Sequence, residues 1–424
     1  MEQQREGEPI AFILPKDRFD DLLRTLRARG YEAIGPKVEE GAIVYGPISS
    51  SQDLPIGWTD NQTPGSYLLV RRTDGVWFGF AVGPHSWKKY LFPPYFKLWQ
   101  ARREGSDWRI EDHLPAVPPR AFIGMRSCEL HALAIQDRVF MNRGSGWSDP
   151  YYSAARRRLF LIAVECQYPG GTCFCASAGT GPGVDVARIP LLTWRHADAR
   201  GQLDEQRRRV DLPMLQGNAA HAHASELAVC DWVMTELDDE FVVRAISEAG
   251  RELVAQLALP PAHKAACEEA AGRVADAAHR MGRSIARQGI QKLLYDLQEH
   301  PRWDDVAARC LGCGNCTLVC PTCFCSCVED HTDLRGDCVE RVRRWDSCFN
   351  PDFARVHAGN YRASLRARYR HWLTHKFASW LDQFDVSGCV GCGRCITWCP
   401  VGIDVTEELA ALRSSYQSDQ GSVP

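Results

Sequence analysis

Cys310-Leu311-Gly312-Cys313-Gly314-Asn315-Cys316-Thr317-Leu318-Val319-Cys320-Pro321 is answered further along by Cys389-Val390-Gly391-Cys392-Gly393-Arg394-Cys395-Ile396-Thr397-Trp398-Cys399-Pro400. Both read C-x2-C-x2-C-x3-C-P, the run whose thiolates hold cubane iron–sulfur clusters. Three thiolates two residues apart wrap one cube on a tight loop. The fourth is turned away by the following proline and reaches the other cube. Gly312, Gly314, Gly391 and Gly393 sit inside the loops, where backbone must pass close to sulfide with no Cβ in the way. Two 4Fe-4S clusters with crossed ligation are therefore expected. Cys310, Cys313, Cys316 and Cys399 would hold the first. Cys389, Cys392, Cys395 and Cys320 would hold the second.

Working outward, the 424 residues suggest about three domains of ordinary size, and 45% hydrophobic content is enough to fill cores. The formal net charge of −3 points neither to nucleic acid nor to an anionic membrane. No stretch approaches the roughly 18 apolar residues of a membrane-spanning helix. The polar N-terminus carries no apolar leader region, so a cytoplasmic protein is expected. In that compartment nineteen cysteines are not a disulfide framework, and thirteen of them fall between Cys310 and Cys399. Such clustering indicates metal.

The expected fold is multi-domain, α+β with a helical C-terminal part. A mixed α/β region covers 1–115, with a strand at 10–14, strands over 42–48 and 67–82 broken by Gly-containing turns such as Asp74-Gly75, and a helix around Phe19, Leu22, Leu23 and Leu26. An α/β segment follows at 116–261. Its strand at 121–125, helix at 129–141 and strand at 159–164 form a crossover unit, which favours parallel strands. Residues 195–225 read as a polar surface excursion, and the chain reads as helical from about 225. A helix-elaborated two-cluster ferredoxin-like domain takes 262–424, with the last dozen residues frayed.

The middle segment has its own thiols, Cys128, Cys166, Cys173 and Cys175. If its strands are parallel, their carboxyl ends share one sheet edge, where ligands bind in α/β folds. Four soft ligands there suit a third iron–sulfur cluster or a structural zinc. Cys323, Cys325, Cys327, Cys338 and Cys348 lie near the first motif and fit either a further cluster or packing around a cube. His371 and His375 sit four apart without an HExxH pattern and read as a solvated helix face. Residues 353–376 carry six Lys/Arg and no acid, as a solvated face, as counter-charge for anionic clusters or as a docking face for an acidic partner. No GxGxxG or P-loop is present, and Gly179-Thr180-Gly181-Pro182-Gly183 is a poor dinucleotide loop. No nicotinamide, flavin or nickel site is legible. A zinc-stabilised interaction module without redox activity is the reading of another class, disfavoured by the Cys-Pro endings.

Six motifs then occur in order: RSCELHALAIQDRVF (126–140), CQYPGGTCFCASAGTGP (166–182), CLGCGNCTLVCPTCFC (310–325), RRWDSCF (343–349), HKF (375–377) and CVGCGRCITWCP (389–400). With these the chain resembles the beta subunit of cytosolic NiFe sulfhydrogenases, which is similar in turn to the electron-transfer subunit of anaerobic sulfite reductase. The resemblance spans about Phe122 to Asp404. It implies a non-catalytic subunit whose 4Fe-4S clusters pass electrons between a flavin- and NAD(P)-binding subunit and the small and large hydrogenase subunits, or sulfite reductase subunits. The eight ferredoxin cysteines carry over one by one. The segment from Cys166 to Pro182 looks like a family signature, which strengthens a site at Cys166, Cys173 and Cys175. Family members usually read RPCD where this chain has Arg126-Ser127-Cys128-Glu129; the cysteine is kept.

Overall fold

The computed structural model describes residues 11–112, 116–141, 148–189 and 229–421. The surface excursion expected at 195–225 lies outside them. The strands that frame the molecule are, in chain order, β1 (Ala11–Pro15), β2 (Glu32–Glu39), β3 (Ala42–Pro47), β4 (Trp58–Thr63), β5 (Ser66–Arg71), β6 (Tyr95–Glu104), β7 (Asp107–Asp112), β8 (Arg120–Met125), β9 (Leu159–Val164), β10 (Trp232–Glu236), β11 (Glu240–Ala245), β12 (Ser326–Thr332) and β13 (Cys338–Trp345).

A seven-stranded sheet has the order β1-β11-β10-β9-β8-β2-β3. Its centre, β10-β9-β8-β2, is parallel, as the crossover pattern of β8 and β9 leads one to expect. β8 and β9 are buried on both faces and read as near-continuous apolar runs, the mark of a covered parallel sheet. On one face Ala121, Ile123, Phe160 and Ile162 pack with Phe19, Leu22 and Leu26 of the helix Phe19–Ala28 and Leu253 of the helix Glu248–Gln256. On the other, Phe122 and Leu161 pack with Leu130 and Leu133 of the helix Ser127–Phe140 and Tyr152 of the helix Pro150–Arg157.

A second sheet, β12-β13-β6-β7, joins a hairpin from the region between the two cysteine motifs to one from the N-terminal region. A third core is helical. Trp303, Tyr369, Trp372, Leu373, Phe377 and Leu412 form it, and ferredoxin-motif cysteines pack against its edge.

Several expectations need correction. The boundary at 115/116 is not a domain boundary, because β1–β3 and β8–β11 share one sheet. Nor is 262–424 self-contained, since β13 pairs with β6. The insert between the motifs carries the expected helical stretch, Leu365–Thr374, and also a hairpin, β12-β13. Residues 232–245 are two antiparallel strands, not helix. Trp232–Glu236 is buried throughout, so it lacks the alternation that separates a strand from a buried helix. Of the strands expected across 67–82 on either side of the Asp74-Gly75 turn, only the first forms, ending at Arg71. Beyond it, side chains satisfy the backbone: Phe78 and Phe80 carbonyls accept from Arg126, and the Trp77 and Phe78 N–H groups donate to Glu236. The last helix continues through Gly421 instead of fraying from 414.

Phe241 of β11 is fully buried against Phe19, Trp77 and Phe78. Phe241→Ala is expected to cost about 3–5 kcal/mol, read as a lowered denaturation midpoint. An unchanged midpoint would show that this face of the sheet is not the stabilising core.

Candidate metal centre

The first ferredoxin loop leaves the helix Arg302–Arg309 at Cys310 and turns through Gly312 and Gly314, both at positive φ. A Cβ on Gly314 would lie 2.8 Å from Ser347 Oγ, so the close approach requires glycine. Cys310 is within electrostatic reach of Cys313 and Cys399, and Cys316 of all three. These four line one cavity with Phe349, Tyr369 and Trp372. The Tyr369 hydroxyl and Trp372 Nε1 are buried there without a hydrogen-bond partner. A guest bearing sulfide acceptors suits them. The Gly312 N–H donates to Cys310 Sγ at 3.4 Å and the Ile403 N–H to Cys399 Sγ at 3.3 Å. Such donors stabilise thiolate charge. The residues present therefore fit a 4Fe-4S cube.

The second set is also together. Cys395 is within reach of Cys389, Cys392 and Cys320, and Cys389 and Cys392 each feel Cys320. The Gly391 N–H donates to Cys389 Sγ at 3.5 Å. A hydrogen bond from the Cys323 thiol, with the Lys376 ammonium behind it, holds the Cys320 thiol well below the usual range. Burial pushes the Cys389 thiol up to about 12. Cys316 bridges the two sets, being close to both Cys320 and Cys395.

The third group lies where the β8 and β9 carboxyl ends meet. Cys128 is in the first turn of the helix after β8, and Cys166 lies two residues past the end of β9. All four thiols are buried. Cys173 is within reach of Cys175 and Cys166, and Cys128 of Cys175. Cys128, Cys173 and Cys175 each feel Cys392, so this group abuts the second set. Ser127 Oγ is buried without a partner beside it. Burial raises the Cys128 and Cys173 thiols well above their ordinary value. They would shed their protons only to a metal.

Among the described residues, no three His, Cys, Asp or Glu side chains converge tightly enough to grip one ion. A tetrahedral zinc with bonds of about 2.3 Å would need its sulfurs within roughly 4 Å of one another.

Sequence reasoning missed what joins these groups. Glu129 Oε1 accepts from Arg394 Nη2 at 2.5 Å, with both side chains essentially inaccessible. Glu129 Oε2 accepts from Tyr45 Oη at 2.8 Å, Trp87 Nε1 at 3.0 Å and its own helix's Arg126 N–H at 3.1 Å. Arg394 Nε also donates to the Gly83 carbonyl. Arg394 stands between Cys392 and Cys395, and Glu129 follows Cys128. The only available signal was a charge beside a cysteine in each motif.

Lys88 was missed as well, whereas Lys376 belongs to the basic run expected as counter-charge for anionic clusters. Lys376 Nζ donates to Thr322 Oγ1 and the Gly388 carbonyl, and its electrostatic neighbours include Cys320, Cys323 and Cys389. Burial pulls Lys88 down to about 8. Elsewhere in the basic run Arg366 and Arg370 pair with Glu299 and Arg368 donates to backbone carbonyls, while Arg355 is exposed. His371 and His375 are half-buried and stacked at 5.6 Å, not a solvated face. Burial lowers each to about 4.

Residues 309–403 match the 4Fe-4S dicluster domain family. Over 295 residues the chain is 30% identical to sulfhydrogenase 2 subunit beta of Pyrococcus furiosus, covering 68% of this chain and 73% of that protein. No solved structure matches. No helix among the described residues is long and apolar enough to cross a membrane.

Glu129→Ala would leave the Arg394 guanidinium buried and unpaired. A loss of about 3–5 kcal/mol is expected, with faster alkylation of Cys128. Glu129→Gln, which still accepts hydrogen bonds, should lose less. Equal losses in the two variants would mean that packing, not charge, matters here.

Proposed function

Because the chain belongs to the family of sulfhydrogenase beta subunits, we propose that it is the iron–sulfur electron-transfer subunit of a multi-subunit oxidoreductase. In this reading it relays electrons between a flavin- and NAD(P)-binding subunit and a NiFe hydrogenase module in the cytoplasm. One observation carries the reading. Cys310, Cys313, Cys316 and Cys399 connect through Cys316 to Cys320, Cys389, Cys392 and Cys395. Through Cys392 these connect to Cys128, Cys173 and Cys175. Cys395 lines the same cavity as the first set, and Cys173 Sγ lies 3.7 Å from the Cys392 carbonyl, so the three thiol groups adjoin in a row, as a wire requires.

The first two sets would each hold a 4Fe-4S cluster with crossed ligation, and Cys128, Cys166, Cys173 and Cys175 a third. Bound clusters supply one-electron carriage; the potential follows from net charge, hydrogen bonds to sulfur and solvent exposure. The chain's own residues set those terms. The N–H groups of Gly312, Gly391 and Ile403 point at cysteine sulfurs. Lys376 supplies positive charge at the second set. Phe349, Tyr369 and Trp372 line the cavity of the first. Cys313 is exposed, with Leu311, Leu318 and Val401 exposed nearby in sequence, so the first set is the end of the row open to a redox partner.

Anaerobic affinity purification with mass spectrometry of co-purifying chains tests the assignment. A nickel-binding large subunit with a flavoprotein supports it; a sirohaem subunit moves it to sulfite reduction. A colourless, iron-free anaerobic preparation would sink it. For ligation, Cys320→Ser is expected to perturb the spectroscopic signal of the second set and spare the first. Damage confined to the first would show that the fourth cysteines are not crossed.

A further inference from the structure

Cys320 ends the first ferredoxin run and is the crossed fourth ligand in the reading above. Two side chains converge on it, one at its carbonyl and one at its sulfur.

The first is Lys88, in the short helix Lys88–Leu91 of the N-terminal region, and it is only 6% exposed. Its Nζ donates to the carbonyls of Leu318 at 3.4 Å, Cys320 at 3.1 Å and Cys323 at 3.2 Å. Three acceptors call for three N–H groups, which the ammonium has and the neutral amine lacks. The same Nζ lies 3.8 Å from the Trp345 ring centroid, and Trp345 Nε1 is fixed on the Phe92 carbonyl at 2.9 Å. Lys88 is thus a buried cation held by carbonyl dipoles and the face of a ring.

The second is Thr322, which is 1% exposed. Its Oγ1 lies 3.1 Å from Cys320 Sγ and 2.7 Å from the Gly388 carbonyl. It accepts from Lys376 Nζ at 2.9 Å, so its own proton is left for one of those two acceptors. Lys376 Nζ also reaches the Gly388 carbonyl, at 3.3 Å. A thiolate accepts the stronger bond. The hydroxyl can therefore serve Cys320 Sγ while Lys376 satisfies the carbonyl.

Among the described residues, neither Lys88 nor Lys376 pairs with a carboxylate. Arg394, between Cys392 and Cys395 of the same set, is neutralised by Glu129. Two buried positive charges therefore stand at Cys320 without a counter-ion from the chain. Such burial is costly, and the negative charge of a thiolate-bound cluster offsets it.

We propose that Lys88 and Thr322 are positioning residues that raise the reduction potential of the cluster Cys320 ligates, Lys88 through the Cys320 carbonyl and Thr322 through the Cys320 sulfur. Reduction adds negative charge to a cluster. A nearby cation, or a hydrogen bond to a ligand sulfur, favours that more negative state. The low dielectric of a buried site strengthens both effects. Neither residue hydrogen-bonds Cys310, Cys313, Cys316 or Cys399, so the shift is confined to one step of the row. The inference rests on the electron-transfer reading above.

The test uses the full chain purified anaerobically with its partners. Midpoint potentials are read by redox titration followed by electron paramagnetic resonance. The signal to follow is the one that Cys320→Ser perturbs, and the signal it spares is the internal control. Lys88→Met and Thr322→Val are expected to lower the midpoint of the first signal and leave the control where it is. Lys88→Arg keeps the charge and should stay closer to wild type than Lys88→Met. An unchanged midpoint in either Lys88→Met or Thr322→Val overturns the inference. So does an equal fall in Lys88→Met and Lys88→Arg, which would assign the effect to packing. Should Lys88→Met fail to fold, Thr322→Val decides, since it exchanges a hydroxyl for a methyl at nearly equal volume. A wild-type chain without iron overturns the electron-transfer reading together with this one.

Discussion

The buried pair of Glu129 and Arg394 ties the two halves of the site together. One partner sits in the first turn of a helix fed by a parallel strand, the other inside the second ferredoxin loop. Two charges removed from water are expensive unless every lone pair and proton finds a partner. Here Tyr45, Trp87 and the Arg126 N–H complete the carboxylate, while the Gly83 and His85 carbonyls engage Nε and Nη2 of the guanidinium and Nη1 is left buried without a partner. The ferredoxin loop is thereby docked on the sheet edge. Cys392 comes within reach of Cys128, Cys173 and Cys175 through that docking.

Close backbone contacts reinforce it. The Phe174 N–H donates to the Gly391 carbonyl at 2.8 Å, and a Cβ on Gly391 would fall 2.8 Å from the Cys175 backbone. Thr172, Thr397 and Gln62 form a buried hydrogen-bonded triangle at the same seam. Few side chains at this seam can grow without displacing backbone, so the spacing between thiol groups is rigid. Rigidity of that kind suits electron transfer, which needs fixed distances and little reorganisation. Positive charge is placed as deliberately: Lys376 is buried where the first ferredoxin run ends and the second begins.

How much was legible beforehand follows from the range of each interaction. The strands β8 and β9, the helix between them and their parallel pairing were readable, because apolar runs and a crossover are local patterns. β10 and β11 were misread, since a strand covered on both faces loses its alternation. The strands β6, β7, β12 and β13 went unseen. They are rich in charged residues, and their pairing joins segments far apart in the chain. Glu129 gave no signal beyond its place beside Cys128, and Lys88 none at all.

The sequence by itself determined the chemistry. The cysteine runs with their prolines and glycines specify cube-binding loops, because each loop's geometry is set within a dozen residues. Tertiary structure alone decided which groups are neighbours. The bond from Arg394 to Glu129 spans 265 positions, and that from Lys88 to the Cys323 carbonyl spans 235. Local patterns cannot encode contacts of that range. Burial then sets the charge balance around each thiol, and only the folded chain specifies burial.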